Sequence, residues 1–462
     1  MNLTAAENET PAEPIAGLID DPDQETAFLS ELAELALARA RRAGADQAEA
    51  TLSASLSREA AVRLGEVETL SEAGDRSLQI TVYCGGCSGS ASTGDLRRFV
   101  VEQTVDRALS IARHTQPDPA SGLAEAQRLA REFPDLALWH PEDIDMARLI
   151  DRAQRIEQAG RELDPRIVNS EGASVSCDFG LGVYANSHGF IGAGKGTRYG
   201  QSCVLVAADE GGMQRDYDWD SARRLDRLAS PEATGQAAAR RTLDRLGARR
   251  IPTGKAQVLF APEVARGLIG HLVGAVSGGN LYRRSSFLLD ACGQSLMPAW
   301  ANLVEYPRQS GGVRSASFDN EGVATADAPL IESGVLTRYV LGSYSARRLG
   351  LETTANAGGV RNLIFQPGQD DQPGLIRHMQ RGLVVTEVMG QGVNLVNGDY
   401  SRGASGFWVE DGEIAWPVEE ITIAGNLRDM FASLVAAGSD LDTRSNIQTP
   451  SLLIDSMMVA GD

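Results

Sequence analysis

Two thiols separated by two residues, Cys84-Gly-Gly-Cys87, form the first spacing in the chain that could do chemistry. Such a pair serves thiol–disulfide exchange or supplies half of a zinc site. A zinc site needs four ligands, and no second CxxC or histidine pair completes one. A redox pair should open a helix, where the dipole lowers a thiol pKa. The two glycines here predict a hairpin tip instead, with the cysteines flanking it. Gly189-Phe-Ile-Gly-Ala-Gly194-Lys195-Gly196-Thr197 comes close to a phosphate loop. Gly196 stands where a magnesium-binding hydroxyl is required, and the text runs on toward a strand rather than a helix, so no helix N-terminus cradles an anion. Gly180-Leu-Gly182 lies in turn-rich strand text without the helix that a dinucleotide fingerprint needs. Both runs read as loop glycines. No G-x-S-x-G elbow occurs, and neither Lys195 nor Lys255 has a serine three places before it, so serine hydrolysis has no support.

The histidines decide more. They are His114, His140, His188, His271 and His378, and the closest two stand 26 positions apart, so no helix presents a histidine pair to one metal ion. Four of them fall in polar helical text, before a proline or in a turn, and read as surface or capping residues. His271 lies in a helix expected over Glu263–Val276, which Pro262 and Glu263 start. Val264, Leu268, Leu272 and Ala275 make its buried stripe, with His271 beside it. Gly267, Gly270, Gly274 and Gly278 leave this helix thin, so that another segment can approach it closely. Asp319 and Glu321, in Phe-Asp-Asn-Glu-Gly, read as part of a solvated turn.

The elements that must position these residues follow from periodicity. Residues 1–24 are acidic and proline-containing and read as a disordered tail. From Glu25, Phe28, Leu32 and Leu35, with Leu29 and Ala36, recur at helical spacing, and Gly44 stops the helix. Ala48–Leu56 alternates as a half-buried strand, Gln79–Cys84 and Cys87–Thr93 form a hairpin, and Asp95 is placed to cap a helix to about Arg113. Residues 25–115 therefore read as an N-terminal α+β module. Residues 116–250 read as a central segment: a polar connector, a helix over Met146–Leu163, strands with turns at Ser170-Glu-Gly172 and Asn186-Ser-His-Gly189, and a helix within 220–247. Residues 251–462 read as a mostly antiparallel β domain with a few helices, among them one from an Asn426 cap to Gly438. The fold class is α+β.

Lys+Arg number 43 against 62 Asp+Glu, a formal net charge of −19. That surface repels phosphate backbones and anionic lipid, which argues against nucleic-acid and membrane partners. No run of about 18 apolar residues is present. The N-terminus lacks a basic, then apolar, leader. Five scattered cysteines do not make a disulfide scaffold. The chain reads as cytoplasmic.

Several longer stretches resemble the TldD/PmbA family, long labelled modulators of DNA gyrase. They are Gly267–Leu289, Phe318–Thr325, Ser343–Ala357, Val393–Gly406, Ile421–Phe431 and Thr449–Gly461, with Gly85–Thr93 near the start. The resemblance implies two branches that pair as a heteromeric metallopeptidase. In the TldD branch an HExxxH helix and a C-terminal cysteine hold the metal, and the glutamate serves as general base. Placed on this sequence, the second histidine of the motif falls on His271, the first on Arg266 and the glutamate on Gly267. A guanidinium donates only and cannot ligate a cation, and glycine cannot take a proton. The segment that carries the cysteine in the other branch reads Asp440-Leu-Asp-Thr-Arg-Ser445, without sulfur.

The resemblance therefore implies a PmbA/TldE-like subunit with no catalytic, cofactor or metal residue of its own. Its expected partner is a TldD-like subunit that carries zinc or iron, forming a cytoplasmic heterodimer for proteolysis and maturation of unfolded peptides. A homodimer of the chain alone stays open. Two other readings stand beside this one: an independent metallopeptidase that gathers distant ligands such as His188, His271, Asp319 and Glu321, and a gyrase-modulating binding protein.

Overall fold

The computed structural model describes residues 21–142 and 144–461. Most of the expected tail lies outside these residues. Its last part does not: Asp21 accepts a hydrogen bond from the Gln24 amide and caps helix α1, Pro22–Arg42. Order thus begins earlier than Glu25. The buried face of α1 is Leu29, Leu32, Ala33, Ala36 and Ala40, whereas Phe28 is 37% exposed. A stripe centred on Phe28 is therefore rotated from the real one, because alanines fit the close approach of helix to sheet. Gly44, at φ 94°, ends the element.

Strand β1 (Gln47–Arg63) is longer than its alternating core suggested, and pairs along its whole length with β2 (Glu66–Cys84). Ala48, Ala50, Leu52, Ala54 and Leu56 point into the core while the residues between them face out. Cys84 pairs with Cys87 across Gly85 and Gly86, both at positive φ, which gives the hairpin into β3 (Cys87–Thr93). Helix α2 is Arg98–Ala112. Asp95 does not cap it: its carboxylate binds the Arg97 amide and guanidinium one step upstream of the helix.

Helix α3 (Met146–Arg161) is capped by Asp145, whose side chain accepts from the Arg148 amide. Strands β4 (Ile167–Asn186) and β5 (Ile191–Asp209) are joined at the expected Asn186–Gly189 turn. Ser170-Glu-Gly172 is not a turn but an irregularity within β4, at Gly172 with φ 115°. The glycines from Gly192 to Gly196, and Gly180 and Gly182, are strand residues rather than loop. Strand β6 (Gly212–Ala222) takes up the start of what periodicity assigned to a helix; α4 covers only Pro231–Asp244, capped by Ser230. The sheet order is β3-β2-β1-β4-β5-β6, so residues on either side of the 113–145 connector share one sheet and one apolar core. Helices α3 and α4 cross at Gly160 and Gly235, where a side chain on Gly235 would stand 2.0 Å from the Ile156 carbonyl oxygen.

Beyond β7 (Gly254–Phe260) come α5 (Pro262–Ala275), α6 (Gly278–Tyr282), β8 (Leu303–Glu305), β9 (Ala328–Glu332), β10 (Val335–Leu336), α7 (Ser343–Leu349), β11 (Leu363–Phe365) and α8 (Gln372–Met379). Then follow β12 (Gly382–Met389), β13 (Val393–Asn394), β14 (Asp399–Glu410), β15 (Glu413–Asn426), α9 (Leu427–Ala432), β16 (Leu434–Ala437), β17 (Ile447–Gln448) and β18 (Leu452–Ala460). Asn426 does cap α9, accepting from the Arg428 amide, but the helix is short: residues 434–437 form β16 on β18 instead. Leu434 and Val435 thus satisfy a strand as well as a helix, a tertiary override that local spacing cannot show. Strands β7, β18, β15, β14 and β12 pair in a ring, β12 returning parallel to β7, and close a small barrel around a second core. The fold is α+β, as expected.

Candidate functional site

Helix α5 starts at Pro262 and buries Val264, Ala265, Leu268, Ile269, Leu272 and Ala275. The stripe expected from the sequence is therefore in place. The residues carried over from HExxxH lie on the other side. Gly267 is exposed and has nothing within 4 Å of where a side chain would begin, and the same holds for Gly270. Gly274 alone of the three approaches a neighbour, Leu395. So among the described residues no second backbone packs on Gly267 or Gly270. Arg266 sends its guanidinium to the Trp219 ring, 5.8 Å from the centroid. His271 is half-buried and meets Tyr400 edge-on at 6.1 Å. Burial, with the nearby Arg402 charge, lowers the His271 pKa, so the ring is neutral at physiological pH.

The Asp440–Ser445 segment folds back to the start of α5, as a site shared with that helix requires. It brings a cation, not a ligand. Arg444 donates to Glu263 at 2.8 Å, to Asp442 at 2.9 Å and to the Trp219 carbonyl at 2.8 Å, with its guanidinium 4.7 Å from the Trp219 ring. Glu263 also receives both arms of Arg241, at 2.8 and 3.0 Å. Burial alone would raise the Glu263 pKa, but the hydrogen bonds and charges of Arg241 and Arg444 outweigh it and leave the carboxyl below its usual range. These groups line a cavity of about 540 Å³ together with Asp442, Thr386 and Phe407.

A metal ion does not fit here. Arg241 and Arg444 hold Glu263, Arg444 also holds Asp442, and both pair with Asp218; Gly267 offers no donor, and His271 is turned to Tyr400. Among the described residues no group of three or more His, Cys, Asp or Glu could hold a metal ion. His188, in the β4–β5 turn, His271, Asp319 and Glu321 therefore do not converge as a ligand set.

The structure corrects the sequence at Asp319. It is 1% exposed, not solvated, and its carboxylate accepts from the amides of Glu321, Val323 and Ala357 at 2.9–3.0 Å. Burial outweighs these bonds and pushes its pKa up to about 6. Glu321 accepts from the Ser343 amide at 2.8 Å, so the Phe318–Thr325 turn is tied to the Ser343–Ala357 segment. Across from it, Glu49 on β1 accepts the hydroxyls of Tyr83 and Tyr184, each at 2.7 Å. Burial raises the Glu49 pKa and the Glu321 charge adds to the rise. With Arg361 these groups line a second cavity, of about 510 Å³. Nothing in local spacing pointed to Glu49 or Arg361; only the length of the Phe318–Thr325 resemblance hinted that its turn had a task.

With both sites described, the class follows: this chain belongs to the PmbA/TldD family. Models of the PmbA/TldA metallopeptidase domain 1, central domain and C-terminal domain match residues 48–112, 139–246 and 253–461. Metalloprotease PmbA of Escherichia coli O157:H7 is 46% identical over 416 residues, covering 90% of this chain and 92% of that one. A PmbA homolog from Haemophilus influenzae is 42% identical, over 98% of this chain and all of the other (100%). A proposed modulator of DNA gyrase from Bacteroides thetaiotaomicron has a similar structure at TM-score 0.89 and 28% identity, covering 94% and 99% of the two chains. TldE from Thermococcus kodakarensis shares the fold, with TM-score 0.81 at 20% identity over 94% and 100% of the chains. A TldD homolog from Haemophilus influenzae is 22% identical over 84% of this chain and 87% of the other.

Proposed function

We propose that this chain is the non-hydrolytic member of a two-subunit peptidase acting on unfolded peptides in the cytoplasm, with a TldD-like chain supplying the metal, zinc or iron, and the general base. The observation that carries this reading is the content of the α5 site. Arg266 and Gly267 fall where the HExxxH motif of the resemblance would place a ligand and the base, the Asp440–Ser445 segment brings Arg444 and no sulfur, and Glu263 is bound by two arginines. Among the described residues no group of three or more His, Cys, Asp or Glu could hold a metal ion for a metal-assisted step, which supports this reading.

The role left to the chain is to complete the wall of a reaction chamber and hold extended substrate. The face of the six-stranded sheet turned away from its helices suits a passage for polypeptide. Near the Phe318–Thr325 turn it carries Thr51, Ser53, Thr81, Gly180 and Gly194, and Ser53 and Thr81 are paired to Ser77 and Ser90 at 2.8 and 2.9 Å. Such a surface offers hydrogen bonds to any backbone and holds no sequence for long.

The test is cleavage of a dye-quenched unfolded peptide by the chain alone, by a TldD-like partner alone and by both. Cleavage by the pair that exceeds the partner's own, with none from this chain, is expected. Activity of the isolated chain, or a partner that works equally well without it, overturns the reading. Stoichiometric transition metal in the purified chain would favour the independent metallopeptidase. The net charge of −19 argues against direct DNA contact in the gyrase-modulator reading, and salt-dependent retardation of duplex DNA would reverse that judgement.

A further inference from the structure

The cavity between the six-stranded sheet and the Phe318–Thr325 turn has no place in the reading above, yet it is the more elaborately built of the two. Its sheet side is small and polar: Thr51, Gln79, Thr81, Gly182 and Gly194. Set into that surface is Glu49, fixed by two tyrosine hydroxyls. On the opposite side the turn presents Glu321, fixed by one backbone amide. Among the described residues neither glutamate makes an ion pair, and their charges are close enough to disfavour each other. Arg347, whose charge reaches Tyr83, is spent on the carbonyls of Ala120, Gly122 and Leu123 and on Glu125.

Arg361 completes the wall and is the unusual group. It is 7% exposed; its guanidinium donates through Nη2 to Asn320 Oδ1 at 3.2 Å and Phe318 O at 3.5 Å, and its buried Nε has no acceptor. Buried guanidinium donors are normally satisfied, so this one is short of an acceptor.

The chemistry narrows the occupant. A simple anion would meet two carboxylates. A divalent cation would find only those two, since both oxygens of Asp319 are consumed by three backbone amides, and it would face Arg361. A group that carries a positive donor and a neutral acceptor side by side satisfies all three residues. The first residue of a polypeptide is such a group, with an ammonium next to a carbonyl.

We propose that this cavity binds the N-terminal residue of a peptide, the ammonium held by Glu49 and Glu321 and the first carbonyl oxygen by Arg361. This rests on the peptide-handling role above and adds to it a definite anchor: a free amino terminus, read with little regard to side chain. The anchor fixes where a peptide begins while its remainder runs on across the hydroxyl- and glycine-lined sheet.

Isothermal titration of the full chain with pentaalanine amide and with its N-acetylated form tests this. The free amine is expected to bind at least about tenfold more tightly, and Glu49→Gln or Glu321→Gln should erase that preference while leaving the melting temperature within a few degrees. Equal affinity for the two peptides overturns the N-terminal anchor and leaves peptide handling standing. Failure of both peptides to bind overturns the anchor and counts against peptide handling by the isolated chain as well. Should either variant not fold, the comparison of the two peptides on the unaltered chain decides alone.

Discussion

Glu263 is half-buried and Asp319 buried; their surroundings move the two carboxyls in opposite directions, and each shift predicts a pH dependence. Arg241 and Arg444 hold Glu263 below its ordinary value of 4.5, so its contribution is present at neutral pH and fades as the pH falls through the depressed value. Glu263→Gln should cost about 2 kcal/mol at pH 7 and progressively less below pH 4, measured by urea unfolding. Asp319 is the reverse case. Its pKa rises from 3.8 in the unfolded chain to about 6, so the folded state keeps a proton that the unfolded state gives up, and stability is lost as pH climbs through that window. Asp319→Asn cannot satisfy three amides as well as a carboxyl does and should destabilise. The gap between parent and variant should widen by about 1 kcal/mol from pH 7 to pH 5. The resemblance singled out Arg266 and Gly267 by placing them where the HExxxH motif has its first histidine and its glutamate, and their residue types cannot ligate a cation or take a proton. Residue type could not reveal Asp319: its burial is produced by amides of residues 321, 323 and 357, and the last of these is distant in sequence.

Elements were legible where one face is buried against one neighbour. The α5 stripe, the Cys84–Cys87 hairpin and the helix from Met146 all follow from local spacing. The misreadings came where local text fits two structures: arginine- and alanine-rich residues near 220 begin as a strand, and Leu434–Val435 leave a helix for one. Glycine shows the same division. On α5, Gly267 meets nothing, so Gly267→Ala should stabilise the isolated chain by about 0.5–1 kcal/mol through helix propensity. At the α3–α4 crossing a β-carbon on Gly235 would collide with Ile156, and Gly235→Ala should lower stability by about 2–4 kcal/mol. Thermal melts of the two variants should move in opposite directions. An unchanged melt for Gly235→Ala would mean that the helices separate more easily than their packing indicates.

At the scale of the whole chain the α+β class was readable, but the barrel was not, because ring closure depends on β12 pairing with β14 and, across more than a hundred residues, with β7. Since no described cluster of side chains can hold a metal ion, treatment with a strong chelator should leave the melting temperature unchanged; a drop of several degrees would expose a structural ion. One further result concerns the 113–145 connector. It joins α2 to α3 and is partly buried, with Ala124, Leu129 and Ala130 packed on Val323, yet the strands it separates in sequence meet side by side, β1 against β4, from Glu49 opposite Asn186 to Val62 opposite Ala173. A protease that nicks this link would therefore cut the covalent chain without opening the seam. The two pieces should stay together on a sizing column under native conditions and part only in denaturant, and neither should fold when produced alone.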